Sequence, residues 1–284
     1  MSFTEYTPSD HLSDYIDAYW VRKADRAGGR RVYADGCADL IANTGHSIVY
    51  FNPTACLDQS IAFHPGHIYL GGTMTAYGVV FNEAGGELTG IRFKPGGFFA
   101  LYGTSMEETV DRVVEFPDPA LFALMEKGEG LDTYFLAKAA SKPRHDFVAI
   151  YQSIYQRKGQ ISVDDLSKYF HVGNRTMERI FKENVGISPK EFIKIVRFQE
   201  VLRSLRQMRA PAVPPEVRPT GAATEMRPRT AAPAPSEESL LRLAFDLGYY
   251  DHAHLTNEFK RYAGIRPSEL SRFYKTGIAG EQYF

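Results

Sequence analysis

The sequence predicts an α+β protein, in which a β-rich N-terminal domain of sandwich or barrel type precedes an all-α domain with two helix-turn-helix units. Short runs of β-branched and aromatic residues, separated by Gly, Pro, Asn and Asp, occupy the chain up to Phe93. Helical spacing of apolar residues begins after Glu107. A pattern of helix, tight turn and helix then occurs twice, at an offset of 78 residues.

The β-rich part is predicted from six short runs, which cover residues 31–33, 39–41, 47–51, 67–70, 77–81 and 88–93. Short strands at such close spacing favour a sandwich or a small barrel. Before them, the spacing of Leu12, Tyr15, Ile16 and Tyr19 predicts a short helix over residues 8–19.

The helical part begins with helices predicted over residues 117–125 and 131–140. Phe147, Ile150, Tyr151 and Ile154 have the spacing i, i+3, i+4, i+7, which predicts an amphipathic helix over about 144–158. Pro143 interrupts the chain just before this helix. We therefore predict two domains, residues 1–142 and 143–284.

The first helix-turn-helix unit is predicted over residues 161–186. Ser162 begins it as a helix cap, and Gly186 ends its second helix. At helical spacing, the polar face of that second helix consists of Asn174, Arg175, Glu178, Arg179 and Lys182. Such a face is suited to the major groove of DNA, although a single helix of this kind is more often an ordinary solvated one.

The second unit is predicted over residues 239–264, after a connecting helix over 188–205. It repeats the first unit at three pairs of residues: Phe181 and Phe259, Gly186 and Gly264, Pro189 and Pro267. The polar face of its second helix offers His252, Ala253, Thr256, Asn257 and Lys260. Two units in one chain suit two successive major-groove faces about 34 Å apart.

Residues 206–236 separate the connecting helix from the second unit. They hold seven prolines and seven alanines and no aromatic residue. This composition cannot bury a core, so it predicts a disordered insert. A surface insertion of this length is tolerated because the cost of loop closure grows slowly. The insert nevertheless puts the spacing of the two recognition helices, the second helix of each unit, in doubt.

From about residue 161 to 274 the sequence resembles the AraC/XylS family of bacterial transcription regulators. The residues that carry the resemblance are Arg175, 179–182 and 186–189 in the first unit, and 247–249, Phe259, Lys260, Gly264 and Pro267 in the second. The resemblance implies a cupin-like sensing or dimerising domain over residues 1–142. Double-stranded DNA is the expected partner. An unknown small-molecule effector, RNA polymerase and a second copy of the chain are candidate partners.

Transferred residue by residue, the resemblance implies contacts with base edges from Arg175, Glu178 and Arg179, and from His252, Ala253, Thr256 and Asn257. Arg can pair bidentately with guanine and Asn with adenine. Lys182, Lys260 and Arg261 are expected to hold phosphates. Arg179 has an alternative partner in Glu183, four residues further along its helix. Because Asn257 stands where the first unit has Arg179, the two units should prefer different bases.

The charge distribution agrees with DNA binding by the helical half. The net charge is −1, but residues 1–158 hold 14 Lys and Arg against 19 Asp and Glu, whereas residues 159–284 hold 19 against 15. No apolar run reaches the length of a membrane span, and no secretory signal is visible at the N-terminus. We therefore expect a cytoplasmic protein with no membrane partner.

Two loop segments in the N-terminal half have local sequences that resemble those of AraC-type regulators with an undefined ligand. Residues 33–41 contain an Asp-Gly turn between predicted strands, and residues 90–98 end a strand in a Gly-rich turn. These segments could form the rim of a ligand pocket. We prefer the simpler interpretation, that they are ordinary turns.

A cupin-type metal-dependent enzyme is the rival hypothesis, because His46, His64 and His67 could supply metal ligands. The Pro-Gly spacer between the last two histidines is typical of a turn, so we expect neither enzyme activity, nor a metal, nor a cofactor. A protein-interaction module with degenerate helix-turn-helix units is a second alternative. Cys37 lacks the basic neighbours that would lower its pKa, so we expect an inert thiol.

Overall fold

The computed structural model describes residues 2–53, 60–140, 146–207 and 237–269. The predicted insert over 206–236 therefore lies almost wholly outside the described residues, as does the chain after residue 269. The predicted fold class is confirmed, since a β-rich N-terminal part is followed by helices. Among the described residues, no helix is both long and apolar enough to cross a membrane.

In the described ranges, ten strands form two antiparallel sheets. The larger sheet has the order β1-β2-β9-β4-β7-β10 and the smaller one the order β3-β8-β5-β6. The strands are β1 Ser2–Tyr6, β2 Ile16–Lys23, β3 Gly28–Val32, β4 Ala38–Asn43, β5 Val49–Pro53, β6 Ile61–Phe63, β7 Ile68–Gly71, β8 Gly78–Asn82, β9 Glu87–Phe93 and β10 Val113–Glu115. The two sheets pack face to face, because Trp20 and Leu88 of the larger one share a buried cluster with Phe51 and Val80 of the smaller one.

The predicted helix over residues 8–19 is wrong. Only Asp10–Leu12 form a short 3-10 helix, and Ile16–Lys23 form β2 between β1 and β9. The inward positions of β2 follow a period of two and include Trp20 and Arg22, which is the strand period rather than the helical one. Strands β1, β6 and β10 have no counterpart in the sequence prediction.

Nine α-helices are described. They are α1 Gly97–Tyr102, α2 Pro119–Lys127, α3 Leu131–Ala140, α4 Phe147–Gln156, α5 Val163–Tyr169, α6 Asn174–Val185, α7 Pro189–Gln207, α8 Glu237–Asp246 and α9 His252–Ala263. Short 3-10 helices lie at Glu107–Thr109 and Pro267–Glu269. Helices α5 and α6 form the first helix-turn-helix unit, and α8 and α9 form the second.

Helix α7 joins the two units in a single hydrophobic core. Phe192, Ile195 and Phe198 of α7 are buried together with Phe181 of α6 and Phe259 of α9. Phe192 lies edge-on to Phe181 at 5.5 Å between ring centroids, and Phe198 lies 5.3 Å from Phe259. The relative position of the two recognition helices is therefore set by α7 and not only by the chain that links them.

Candidate nucleic-acid interface and ligand cavity

The first recognition helix, α6, buries one face and exposes the other. Met177 and Phe181 are fully buried, whereas Asn174, Arg175, Arg179 and Lys182 are exposed and Glu178 is half-buried. Its C-terminus is closed by Gly186 in the left-handed conformation, whose N–H donates to the carbonyl of Phe181. The first unit thus presents all five predicted residues on its outer face.

Several of these residues have partners within the chain. The Asn174 side-chain amide donates to Asp164 at 2.6 Å, and Arg179 pairs with Glu183 at 3.0 Å, which is the alternative contact predicted for it. Lys182 pairs with Glu107 of the N-terminal half at 2.8 Å. Arg175 makes no ion pair with any other described residue. The first turn of α6 therefore keeps an uncommitted cation for a phosphate or a base.

The second recognition helix, α9, is built in the same way. The side chain of Asp251 accepts from the N–H of His254 at 2.7 Å and caps the helix. Leu255, Phe259 and Tyr262 are buried. The exposed residues of the predicted set are Ala253, Asn257, Lys260 and Arg261.

The remaining polar side chains of α9 are not all exposed. Oγ1 of Thr256 and Nε2 of His252 are buried and hydrogen-bond to no other described group, so base contact through them requires a change of rotamer. Glu258, which sequence reasoning did not single out, is 7% exposed and lies 3.3 Å from Lys194 and 3.4 Å from His254. Its position between inward residues was the signal that could have identified it as a buried ion pair.

Both recognition helices contact the β-rich half near their C-terminal ends. The N–H of Met106 donates to the carbonyl of Glu183 at 3.1 Å, and the N–H of Tyr77 donates to the carbonyl of Arg261 at 3.3 Å. A side chain at Gly186 would collide with Met106, and one at Gly264 would collide with Tyr77. Arg261 also pairs with Glu191 of α7 at 2.8 Å, so this predicted phosphate contact already has an acidic neighbour.

A cavity of about 100 Å³ lies between the two sheets. Its wall is largely apolar, with Trp20, Val32, Ile41, Phe51, Phe63 and Leu88. Four arginines and three aspartates also line it: Arg22, Arg30, Arg92, Arg112, Asp35, Asp39 and Asp111. Apolar walls with a few convergent charged groups are typical of a small-molecule site.

Arg92 is the centre of the charged part of the cavity. It lies 3.7 Å from Asp35 and 3.5 Å from Asp39, and the indole N–H of Trp20 donates to Asp39 at 3.0 Å. Burial lowers the pKa of Arg92, but the carboxylates of Asp39 and Asp35 more than offset this and raise it overall. Burial raises the pKa of Asp35 to about 6, although the charge of Arg92 acts in the opposite direction.

Two further arginines carry their charge into the same interior. Burial lowers the pKa of Arg22 to about 10. Burial, followed by the positive charges of Arg22 and Arg92, lowers the pKa of Arg30 to about 9. The positive charges of Arg22 and Arg92 therefore make the charged form of Arg30 less favourable.

The loop from Tyr33 to Cys37 connects this cavity with the helical half. The predicted Asp-Gly turn between strands is present, since Gly36 has a φ of 80° and the N–H of Cys37 donates to Oδ1 of Asp35 at 2.9 Å. The turn does not form a hairpin, because β3 and β4 on either side of it belong to different sheets. Tyr33 lies edge-on to Phe198 of α7, Gly36 packs against Phe192, and Gln199 donates to the carbonyl of Ala34. Since Tyr33, Asp35 and Cys37 line the cavity, the pocket-rim interpretation fits better than turn chemistry alone.

The candidate metal and thiol residues have simpler surroundings. His67 pairs with Glu115 at 2.8 Å, and its ring centroid lies 6.1 Å from that of His64. Within the described ranges, no group of three or more His, Cys, Asp or Glu is arranged to hold a metal ion. Burial raises the pKa of the Cys37 thiol well above its ordinary value, and the charge of Asp35 adds to this. A raised pKa keeps the thiol protonated, which agrees with the predicted inert thiol.

Comparison with known proteins gives one family model and one curated relative. A family model described as a domain of unknown function (DUF6597) matches residues 4–115, which contain all ten strands except the first two residues of β1. An uncharacterized HTH-type transcriptional regulator of Haemophilus influenzae is 23% identical over 124 residues, which are 44% of this chain. The chain spans about a third of the length of that relative, 32%.

Solved structures of ToxT from Vibrio cholerae are also similar. One is 11% identical, with a TM-score of 0.47, over 95% of this chain and 98% of that chain. Another, bound to an unsaturated fatty acid, is 12% identical, with a TM-score of 0.47, over 92% and 96%. The predicted resemblance to AraC-type regulators is confirmed, since the two helix-turn-helix units are present and the curated relative is an HTH-type regulator.

Proposed function

We propose that the protein is a sequence-specific DNA-binding transcription regulator. Residues 1–142 are the sensing or dimerising domain, and residues 143–284 are the DNA-binding domain. The observation that carries the proposal is the packing of both recognition helices on one connecting helix, through Phe181 on Phe192 and Phe259 on Phe198. A shared core of this kind fixes two polar helix faces relative to each other, as reading two half-sites requires.

The proposed roles follow the residue-by-residue resemblance to the AraC/XylS family, and His252 and Thr256 need a change of rotamer to fulfil theirs. Arg175, Glu178 and Arg179 contact base edges from α6, and Ala253, Thr256, Asn257 and His252 do so from α9. Asn174, the first residue of α6, assists the DNA contacts made by the other residues of this helix. Lys182, Lys260 and Arg261 hold phosphates, which position the protein without specifying sequence. Lys182 and Arg261 leave their partners Glu107 and Glu191 when they do so.

Control by an effector in the sheet cavity follows from the loop that joins the two halves. Asp35 and Cys37 face the cavity, while Tyr33 and Gly36 touch α7. A ligand that favours one position of this loop changes the position of α7 and of both recognition helices, provided that it binds the two states with different affinity. Such a regulator acts in the cytoplasm as a non-enzymatic protein, with RNA polymerase or a second copy as further partners.

The test is selection of genomic DNA fragments by the purified full-length protein, followed by titration of the enriched fragment at several salt concentrations. The expected result is one enriched site with two separated half-motifs and a preference that survives physiological salt. Arg175→Ala should weaken that preference, whereas Lys127→Ala, a matched change on an exposed helix end of the other half, should not. Salt-sensitive binding without any enriched sequence would contradict the proposal.

A further inference from the structure

The second recognition helix carries a buried carboxylate at a position where the first carries an apolar residue. Glu258 stands 78 residues after Ile180, at the same place in the repeated unit. Ile180 packs against the helical core, as expected for the inner face of an amphipathic helix. Glu258 is buried on the same face, and burying a charge is costly unless a partner compensates it.

The partner of Glu258 belongs to the connecting helix α7. Nζ of Lys194 lies 3.3 Å from Oε1 of Glu258, and Nε2 of His254 lies 3.4 Å from the same oxygen. Burial raises the pKa of Tyr249, just before α9, and the negative charge of Glu258 raises it further. The carboxylate is therefore held between the recognition helix and the connecting helix, where it can fix the position of one on the other.

A second polar contact joins the same two helices about one turn away. The hydroxyl of Tyr262 donates to Oε1 of Glu191 at 2.8 Å, and Nη2 of Arg261 lies 2.8 Å from the same oxygen. Because Tyr262 donates independently of Arg261, Glu191 retains a partner when Arg261 turns to a phosphate. The two helices are thus joined by polar contacts at two separate points.

The order of the charges favours one register of α9 on α7. Glu191 precedes Lys194 by three residues on α7, and Glu258 precedes Arg261 by three residues on α9. In the observed register each acid meets a base. Moving α9 along α7 by one turn, about 5 Å, would bring Glu258 towards Glu191 in one direction and Arg261 towards Lys194 in the other. Both displaced registers place like charges together, which is repulsive.

We propose that Lys194 and Glu258 are positioning residues that hold α9 in one register on α7, and so set the separation at which the two half-sites are bound. The aromatic contacts between these helices are hydrophobic and non-directional, so they tolerate small displacements that the charged contacts do not. A buried ion pair is often no more stabilising than apolar residues of similar volume, and selection of register is its best-attested role. The effect on DNA rests on the proposed function, whereas the register can be measured without DNA.

The experiment measures two properties of the full-length protein. Spin labels at Lys168→Cys on α5 and Arg242→Cys on α8, both exposed sites, give the distance between the two units by double electron–electron resonance. Cys37 and Cys56 are replaced by alanine in all these proteins. Fluorescence anisotropy then compares the selected DNA site with duplexes whose half-motifs are one base pair closer or further apart. Such a change displaces one half-motif by about 3.4 Å and rotates it by roughly 34°.

Two double variants test the proposal. Lys194→Met with Glu258→Ile removes both charges and gives α9 the residue type of the first unit, so the fold should be retained. Lys194→Glu with Glu258→Lys keeps an attractive pair in the observed register, but it makes the displaced register beside Glu191 attractive as well. Arg203→Met with Glu200→Ile is the matched control, because it removes an equally buried glutamate that is paired within α7 itself.

Wild type and the control should show one narrow distance, and both should lose about tenfold in affinity when the half-motif separation changes by one base pair. Both test variants should broaden the distance distribution and reduce that loss to about twofold. A folded test variant with the wild-type distance distribution, or a broad distribution in wild type, would overturn the proposal. If urea unfolding shows that neither test variant folds, the pair maintains the fold rather than the register, which also overturns it.

The two measurements separate this inference from the proposed function. A narrow distance that broadens in both test variants, in a protein without sequence preference on DNA, would establish the register and contradict the proposed function. Sequence-specific binding whose dependence on separation is the same in wild type and in both test variants would support the proposed function and overturn the role of Lys194 and Glu258.

Discussion

Nζ of Lys182 and Oε1 of Glu107 lie 2.8 Å apart, so the last turn of the first recognition helix is paired with the β-rich half across 75 residues of sequence. The pair is exposed at both ends, with 50% and 55% of the two side chains accessible. Such a pair contributes little to stability because water screens it. Its effect is better sought in DNA binding, where Lys182 is a predicted phosphate contact.

Glu107→Gln should increase the affinity for DNA of any sequence, because Lys182 is then free to contact a phosphate. The slope of log affinity against log salt should steepen by about one phosphate contact. The unfolding midpoint should change little. Fluorescence anisotropy at four salt concentrations measures this. Glu108→Gln is the matched control, since Glu108 is an exposed neighbour without this ion pair. An equal change in both variants would show a general charge effect instead.

Gly186→Ala should destabilise the protein more than Gly128→Ala does. Both glycines end a helix in the left-handed conformation, at φ 81° and 70°. That conformation alone costs a non-glycine residue on the order of 1 kcal/mol. At Gly128 an added methyl group meets open space, whereas at Gly186 it meets the Met106 carbonyl and Val110. The two variants should therefore differ in their free energies of urea unfolding. Equal losses of stability would show that the contact between Gly186 and the β-rich half adjusts to an added methyl group without cost.

Local patterns were sufficient for most of the helices. The predicted helix over 131–140 coincides with α3, because its apolar spacing, the preceding glycine turn and its length all lie within one short stretch. Ser162 was predicted as a cap, and its side-chain oxygen accepts from the N–H of Asp165. Ser188 caps α7 in the same way, by accepting from the N–H of Glu191. The duplicated helix-turn-helix pattern was equally visible, since each copy buries Phe181 or Phe259 at the same place in its helix.

The cavity was not predictable, because it depends on contacts between distant strands. The apolar residues at 12, 15, 16 and 19 suit a helix as well as a strand, and the pairing of β2 with β1 and β9 decides the outcome. The predicted helix ended at residue 19 and covered the first half of β2, so the strand that turns Arg22 inward was not predicted. Asp39 and Arg92 lie side by side because β4 pairs with β9 in the larger sheet. The contact between Lys182 and Glu107 also joins residues that are distant in the sequence, so local patterns could not predict it.

The stability of the protein should fall as pH rises from about 4 to about 6, by an amount that Asp35→Asn removes. The pKa of Asp35 is raised by burial to about 6, so the folded state holds its proton more tightly than the unfolded chain. Stability from this group is therefore full below the unfolded pKa and is lost as pH rises through the folded one. The expected difference across this range is about 3 kcal/mol.

Urea unfolding of wild type and Asp35→Asn at pH 4, 5, 6 and 7 tests this, because carboxyl groups remote from Asp35 titrate alike in both proteins. Asp14→Asn, a substitution of an exposed residue, is the control and should run parallel to wild type. A constant difference between wild type and Asp35→Asn over the whole range would mean that Arg92 keeps the Asp35 carboxylate charged.

Arg179→Ala should relax base preference at one position of the binding site and cost about 1–3 kcal/mol on the preferred sequence. Its ion pair with Glu183 is exposed, with 65% of the Arg179 side chain accessible, so releasing it for a base costs little. Competition binding with every single-base variant of the enriched site measures the effect. Arg203→Ala is the control, because Arg203 is an exposed arginine paired with Glu200 on α7 and does not belong to either recognition helix. If Arg179→Ala weakens all sequences equally, Arg179 contacts a phosphate, and base discrimination by the first unit must come from Arg175 and Glu178.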